Sequence, residues 1–194
     1  MPPNRGGPAD MHWIIERHDV LGSTMDAADD RAKRGAPAGV VVVAAEQTSG
    51  RGQRGRTWLA PRGTSLLMTI ICRPTCQPEE LSVFPTHVGR YVSRAIERLT
   101  GLPCDLKVPN DVLIDNRKTA GVLCQSSVQE GRVNYVLIGI GVNVNISPED
   151  LPLENATSLL AETGRSWDVN AVLEEVLNQL EACWCFSACQ LAAD

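Results

Sequence analysis

Runs of apolar residues divide this chain into segments before any chemistry is considered. Residues 13–20 have the character of a short strand, and 40–45 form an unbroken, valine-rich run suited to a strand buried on both faces. Residues 65–72, S-L-L-M-T-I-I-C, form another. Between the first two, 25–34 reads as a helix. Ser23 or Thr24 supplies its N-cap, Asp26, Asp29 and Asp30 suit the positive end of its dipole, and Gly35 stops it. Across 85–99 the period is plainly helical: Val88, Tyr91, Val92, Ala95, Ile96 and Leu99 share one face, which is core, and Gly101 follows as a stop. Residues 106–108, 112–115, 120–126 and 133–144 then read as strands, with a hairpin turn at 115–118 and another turn at Gly131. A last amphipathic helix runs from Val169 to about Cys183 through Val172, Leu173, Val176, Leu177 and Leu180. Strands joined by short turns pair antiparallel, and helices stand before and after them. The expected fold class is therefore α+β: a mixed, largely antiparallel sheet flanked by helices.

One stretch fits neither periodicity. From Glu46 to Trp58 the chain reads E-Q-T-S-G-R-G-Q-R-G-R-T-W, with three glycines and three arginines between Gly50 and Arg56. Glycine loses too much conformational freedom to be ordered without a reason, and arginine offers a forked donor matched to carboxylate and phosphate oxygens. G-R-G-Q-R-G matches G-x-G-x-x-G, but a dinucleotide fold needs a helix directly after it. Here Pro61 and Gly63 follow, then a strand, so that reading is rejected. The stretch is expected to be a mobile basic loop that closes over an anionic ligand.

Composition narrows the function classes. A net charge of −5 over 194 residues does not suit a protein whose main task is to hold duplex nucleic acid, and the local positive charge of the loop suits a small anion better. No apolar run is long enough to cross a membrane. Residues 1–11 lack the apolar core of a signal peptide and are expected to be disordered. The seven cysteines, without an export signal, fit a reducing cytoplasm; their spacing makes no paired C-x-x-C zinc pattern.

Five blocks, in this order, carry a resemblance: S-T-M-D at Ser23, the arginine-glycine loop from Glu46, K-V-P-N-D-V-L-I-D at Lys107, R-K-T-A-G-V-L at Arg117, and I-G-I-G-V-N-V at Ile138. A-T-S-L at Ala156 adds to them. Together they resemble the catalytic domain of the biotin–protein ligases (biotin–[acetyl-CoA-carboxylase] ligases), of the biotin/lipoate ligase superfamily, over residues 12–183. The resemblance implies a soluble cytoplasmic enzyme that uses ATP and Mg²⁺ to turn biotin into biotinyl-5′-AMP. The biotinyl group then passes to a lysine of a biotin carboxyl carrier protein.

It also implies residue roles. Lys118, Arg51 and Arg56 would be the catalytic cations, with Lys118 bridging the biotin carboxylate and the α-phosphate. Biotin would be held by Ser23, Thr24, Met25, Gln47, Gly50, Arg51, Gly52, Gln53 and Lys118. ATP would meet Arg54, Arg56, Trp58, Lys107, Asn110 and Asn143, and the metal would meet Asn110 and Asp111. Without the resemblance, Lys118 reads as a solvated turn lysine, Trp58 as core and Pro-Asn-Asp as an ordinary turn.

Departures from the family pattern matter too. Gln53, the third loop residue after Gly50, stands where many members have arginine, removing a charge beside the adenylate, and Val108 replaces the usual tryptophan. Neither an N-terminal winged helix nor a C-terminal β-barrel is expected, so no DNA role is implied, and 184–194 reads as an atypical tail that puts full activity in doubt. A homodimer is compatible with the resemblance. A lipoate or octanoate ligase or transferase of the same fold, and a biotin-binding relic without turnover, stay open as alternatives.

Overall fold

A computed structural model describes residues 13–182; the expectations for 1–11 and 184–194, and the end of the last helix at Cys183, fall outside the described residues. The sheet has seven strands: β1 (Ile14–Leu21), β2 (Val40–Gln47), β3 (Ser65–Cys72), β4 (Asp105–Lys107), β5 (Asp111–Ile114), β6 (Arg117–Gln129) and β7 (Arg132–Asn143). Their spatial order is β1-β2-β3-β7-β6-β5-β4. Only β1 and β2 pair in parallel; every other neighbour is antiparallel, so the sheet is mixed as expected. The parallel pair follows from α1 (Thr24–Lys33), whose length lets the chain return in the same direction.

Two hairpins follow directly from local sequence. Asp115 and Asn116 take φ of 47° and 59°, and Glu130 and Gly131 take 51° and 75°. Two successive positive φ values match the right-handed twist of the flanking strands, and Asn and Gly tolerate them best. α2 (Phe84–Thr100) ends at Gly101, whose φ of 74° lets its N–H reach the Glu97 carbonyl. The described residues end with α3 (Leu159–Thr163), a single capped turn that apolar periodicity cannot signal, and α4 (Val169–Ala182).

Side-chain alternation assigns the two faces of the sheet. Leu66, Met68, Ile70, Val136, Ile138, Ile140 and Val142 share the main core with Val88, Val92 and Ile96 of α2 and Val172, Leu173 and Leu180 of α4. On the opposite face Val40, Val42, Ile71 and Leu137 pack under Met25, Ala28 and Ala32 of α1. All eight residues of β3 are buried because it sits between both layers. Helix α1 covers only part of its face. Beyond its N-terminus the sheet carries Leu67, Gly141 and Gly121 in one cross-strand row and Thr69, Gly139 and Leu123 in the next. No helix among the described residues is long and apolar enough to cross a membrane.

Candidate active site

A cavity lies over this glycine-bearing patch, between the N-terminus of α1, the arginine-glycine loop and the segment around Ala156. Three glycines of its floor, Gly121, Gly139 and Gly141, let side chains pack directly on the backbone. A Cβ on Gly141 would stand 2.6 Å from Cε2 of Trp58, and one on Gly139 would stand 2.8 Å from Sδ of Met25. Any side chain there would evict the Trp58 ring or the Met25 thioether, which is the physical reason for glycine at these positions.

One end of the cavity is built by α1. Ser23 caps the helix, its Oγ accepting from the Met25 N–H at 3.2 Å. Gln47, at the end of β2, has its Oε1 fixed by the Thr24 N–H at 2.7 Å and the Thr24 hydroxyl at 3.0 Å. A backbone N–H can only donate, so the amide oxygen faces Thr24 and the NH₂ group is left for the cavity. That NH₂ needs the space that Gly50 leaves: a Cβ there would stand 3.1 Å from Nε2 and 2.4 Å from the Trp58 carbonyl oxygen.

The other end is cationic. Lys118, near the start of β6, lies with Nζ 5.4 Å from the Trp58 ring centroid and 2.6 Å from Oδ1 of Asp111. That carboxylate oxygen makes no aligned hydrogen bond, so the contact is a charge pair rather than a directed bond. The Lys118 backbone is held on both sides: its N–H donates to the Asn155 carbonyl and its own carbonyl accepts from Thr157, each at 2.8 Å. The lysine is therefore not a free turn residue.

The arginine-glycine loop is a small folded flap. Arg51 and Thr57 form an antiparallel bridge, Gly52 N–H donates to the Arg56 carbonyl at 2.7 Å, and Trp58 N–H donates to the Gly50 carbonyl at 3.0 Å. A turn at Gln53–Gly55 makes the tip, with Arg54 at φ 57°. Arg51 ties the flap to α1 through an exposed ion pair of 2.6 Å with Asp26. Such a surface pair contributes about 0–1 kcal/mol, so ligand oxygens can displace it.

Asn110 is buried and its Nδ2 donates to the Val122 carbonyl at 3.0 Å. Asn143 donates to the Thr157 carbonyl at 2.9 Å, while its Oδ1 and the Trp58 Nε1 are buried without a hydrogen-bond partner among the described residues. On the outer side of the flap, burial pushes the Cys124 thiol up to about 12, so it stays protonated near neutrality and offers no nucleophile. No group of three or more His, Cys, Asp or Glu side chains that could cage a metal occurs among the described residues.

Of the residues expected at the site, Ser23, Thr24, Met25, Gln47, Arg51, Gly52, Gln53, Arg56, Trp58, Asn110, Lys118 and Asn143 line this one cavity. Asp111 joins through its pair with Lys118. Gly50, Arg54 and Lys107 are not in the lining: Gly50 makes room behind Gln47, Arg54 occupies the flap tip, and Lys107 lies on the edge strand β4. Sequence reasoning missed Pro152 and Leu153, which join the cavity wall from a segment with no periodicity. The only signal for Gly121 was its place in the A-G-V-L block.

Known proteins can be set beside this geometry. The model of the biotin/lipoate A/B protein ligase family matches residues 18–143. The bifunctional ligase/repressor BirA of Bacillus subtilis is 39% identical over 163 residues, which cover 82% of this chain and 50% of that protein. The biotin–[acetyl-CoA-carboxylase] ligase of Mycobacterium tuberculosis is 34% identical over 187 residues, covering 91% of this chain and 68% of that one. Among solved structures, the biotin protein ligase of Aquifex aeolicus in complex with biotin and ATP superposes with a TM-score of 0.73 at 31% identity, over 91% of this chain and 74% of that one. The Leishmania major biotin protein ligase in complex with biotinyl-5-AMP gives 0.72 at 31% identity, over 88% and 74%. The chain spans about half the length of the Bacillus relative it matches.

Proposed function

We propose, because the chain belongs to the biotin/lipoate A/B protein ligase family and has the catalytic-domain fold of a biotin–protein ligase, that it activates biotin with ATP and passes it to a protein lysine. The observation that carries this is the polarity of one cavity. Two hydrogen-bond donors, Gln47 Nε2 and the Ser23 hydroxyl, and three cations, Lys118, Arg51 and Arg56, line the same cavity. Biotin has a ureido carbonyl at one end and a carboxylate at the other, joined by an apolar chain. The carbonyl matches the donors, the carboxylate matches the cations, and the apolar middle matches the Trp58 ring and the Met25 thioether that pack on the glycine positions. A lipoyl dithiolane has no carbonyl to satisfy the donors, and leaving them unpaired costs about 1–3 kcal/mol.

The first step forms a bond from a biotin carboxylate oxygen to the α-phosphorus of ATP and breaks the bond to the β-phosphate, releasing pyrophosphate. It forces two anions together. At about 4 Å and an effective dielectric near 20, unit charges repel by about 4 kcal/mol. Lys118 would stand between them, released from Asp111 as the ligand oxygens compete for its ammonium. Arg51 would exchange Asp26 for ligand oxygens, and Arg56 would hold phosphate. Asn143 and Trp58, each with an unpartnered buried polar atom, would meet the nucleotide. In the second step a carrier lysine amine attacks the acyl carbon of the mixed anhydride, forming the amide and releasing AMP. The carrier proposed is a biotin carboxyl carrier domain.

Asn110, whose Nδ2 is committed to the Val122 carbonyl so that its oxygen can accept, and the Asp111 carboxylate, once Lys118 turns to the ligand, would hold Mg²⁺, which takes one or two protein oxygens and completes its shell with phosphate and water. When bound, the ion neutralises charge on the phosphates. Incubating the purified chain with biotin, ATP and Mg²⁺ and following pyrophosphate tests the reading. Release that depends on biotin supports it; release with lipoate instead moves the assignment to the lipoate branch. Biotin binding without pyrophosphate leaves a binding relic.

A further inference from the structure

Lys118 stands where the sheet changes neighbours. β6 pairs with β7 only from Ala120 onward, and on that side the Lys118 backbone is bonded to residues 155–157 instead. Its N–H donates to the Asn155 carbonyl and its carbonyl accepts from the Thr157 N–H, each at 2.8 Å. On its other side the pairing with β5 is irregular, with a register shift between Val112 and Leu113. The 155–157 segment belongs to no strand. A side chain carried on such a backbone is only as well placed as the loop that holds it.

That loop is fastened by a carboxylate outside the cavity. Glu162 Oε1 accepts from the hydroxyl of Thr157, which is fully buried, and the same oxygen lies 2.8 Å from the Arg117 guanidinium. Arg117 is the residue before Lys118. One oxygen thus holds the Lys118 chain twice, through its neighbour in sequence and through the segment bonded across it. The mount itself is firm. Ser158 caps α3, accepting from the Ala161 N–H at 3.0 Å, and its hydroxyl donates to the Ile146 carbonyl at 2.6 Å. The Glu162 side chain is only 10% exposed, where an apolar side chain would pack without a charge to desolvate. Glu162, Thr157 and Arg117 are all absent from the cavity lining.

We propose that Glu162 is a positioning residue for Lys118: through Thr157 and Arg117 its carboxylate fixes the backbone from which the ammonium reaches the reacting oxygens. This rests on the reading of Lys118 as the cation between the biotin carboxylate and the α-phosphate. Arg117, despite its place beside Lys118, then serves the fold of the site and not the ligand, because its charge is met by Glu162. Without the Glu162 carboxylate, Thr157 keeps its backbone bonds and loses its side-chain anchor. Arg117 is left with Asp115 at 3.9 Å and solvent. The ammonium then spreads over positions of which few lie between the two anions. A displacement of about 1 Å at a reacting centre can cost on the order of 100-fold in rate, and a loosened lysine that still visits the site costs less.

The test is a double-mutant cycle between Glu162 and Lys118, read by single-turnover pyrophosphate release at saturating biotin and ATP. Saturation moves any shift of Asn143, whose Nδ2 donates to the Thr157 carbonyl, into the KM for ATP. Glu162→Ala is expected to slow release at least about 10-fold while biotin affinity by calorimetry stays within about 3-fold. Glu162→Gln keeps an oxygen for Thr157 and Arg117 and should remain within about 3-fold of wild type. In a Lys118→Ala background, Glu162→Ala should cost less than about 3-fold more, because the group it positions is gone. If thermal melting shows that Glu162→Ala does not fold, Thr157→Val, which keeps the shape and removes the hydroxyl, carries the same cycle. An equal loss in both backgrounds would assign Glu162 a purely structural role and overturn the inference, as would a folded Glu162→Ala protein with a rate within about 3-fold of wild type. Wild type that releases no pyrophosphate would instead overturn the reading of biotin activation, and this inference with it.

Discussion

Removing the Lys118 ammonium should separate activation from binding. The structure allows the size of the effect to be worked out. Two anions approaching to about 4 Å repel by about 4 kcal/mol at an effective dielectric near 20. Left unopposed, that is about three decades of rate. Two features shift this figure in opposite directions. The Lys118 side chain is 25% exposed and two arginines share its cavity, so water and neighbours already carry part of the load. Asp111, at 18% exposure and 2.6 Å from Nζ, would be left as an uncompensated negative charge facing the same anions, which adds to the barrier. Lys118→Ala is therefore expected to slow adenylate formation by about 100- to 1000-fold. Biotin affinity should change by no more than about 5-fold, since the head-group end is built separately by Ser23, Thr24 and Gln47. Single-turnover pyrophosphate release gives the rate, and calorimetry gives the affinity. Adding Asp111→Asn to Lys118→Ala should recover part of the loss, because it removes the orphaned charge. A Lys118→Ala rate within about 5-fold of wild type, with the fold intact, would refute the convergence of charges on which the mechanism rests.

Three further outcomes follow from the same geometry. Gly141→Ala should displace the Trp58 ring, because its Cβ would stand 2.6 Å from Cε2; biotin affinity is expected to fall at least about 10-fold with a few degrees lost in Tm, and unchanged affinity would mean that the floor is not part of the binding surface. Trypsin should cut at Arg51, Arg54 or Arg56 in the empty protein and be slowed at least about 10-fold by biotin with ATP, since the flap is tied down chiefly by one exposed ion pair; equal cleavage in both states would argue against closure. The Asp29 carboxyl is held below its ordinary value of 3.8: burial by itself would raise it, but bonds from Lys33 and Tyr135 and the nearby charges outweigh burial. A depressed carboxyl stabilises fully above the unfolded value and loses that contribution as pH falls through the folded one. Asp29→Asn should thus lower Tm near neutrality and flatten the acid arm below about pH 4, and parallel melting curves across that range would count against it.

Most elements were legible from the order of residues alone, for local reasons. The β3 limits, the α2 face with its Gly101 stop, the Ser23 cap and both hairpin turns depend on period, on Cβ sterics or on a neighbouring hydroxyl. The motif blocks also carried the family, and with it the list of side chains to look for. The folded flap was less legible: glycine and arginine suggested a mobile loop, whereas backbone bonds from Gly52 and Trp58 close it into a hairpin-like turn.

Only the tertiary structure decided which of those side chains meet. Lys118 and Arg51 are far apart in the chain, and they share a cavity because β3 brings β2 and the flap beside β7 and β6. Asp111, read in sequence as a metal ligand, is brought against Lys118 by the β5–β6 pairing. Thr69 looked like one more residue of a buried strand until register set it under Thr24. Periodicity records which face a residue occupies and cannot record what lies across that face. That depends on strand order and register, which hydrophobic burial settles for the chain as a whole.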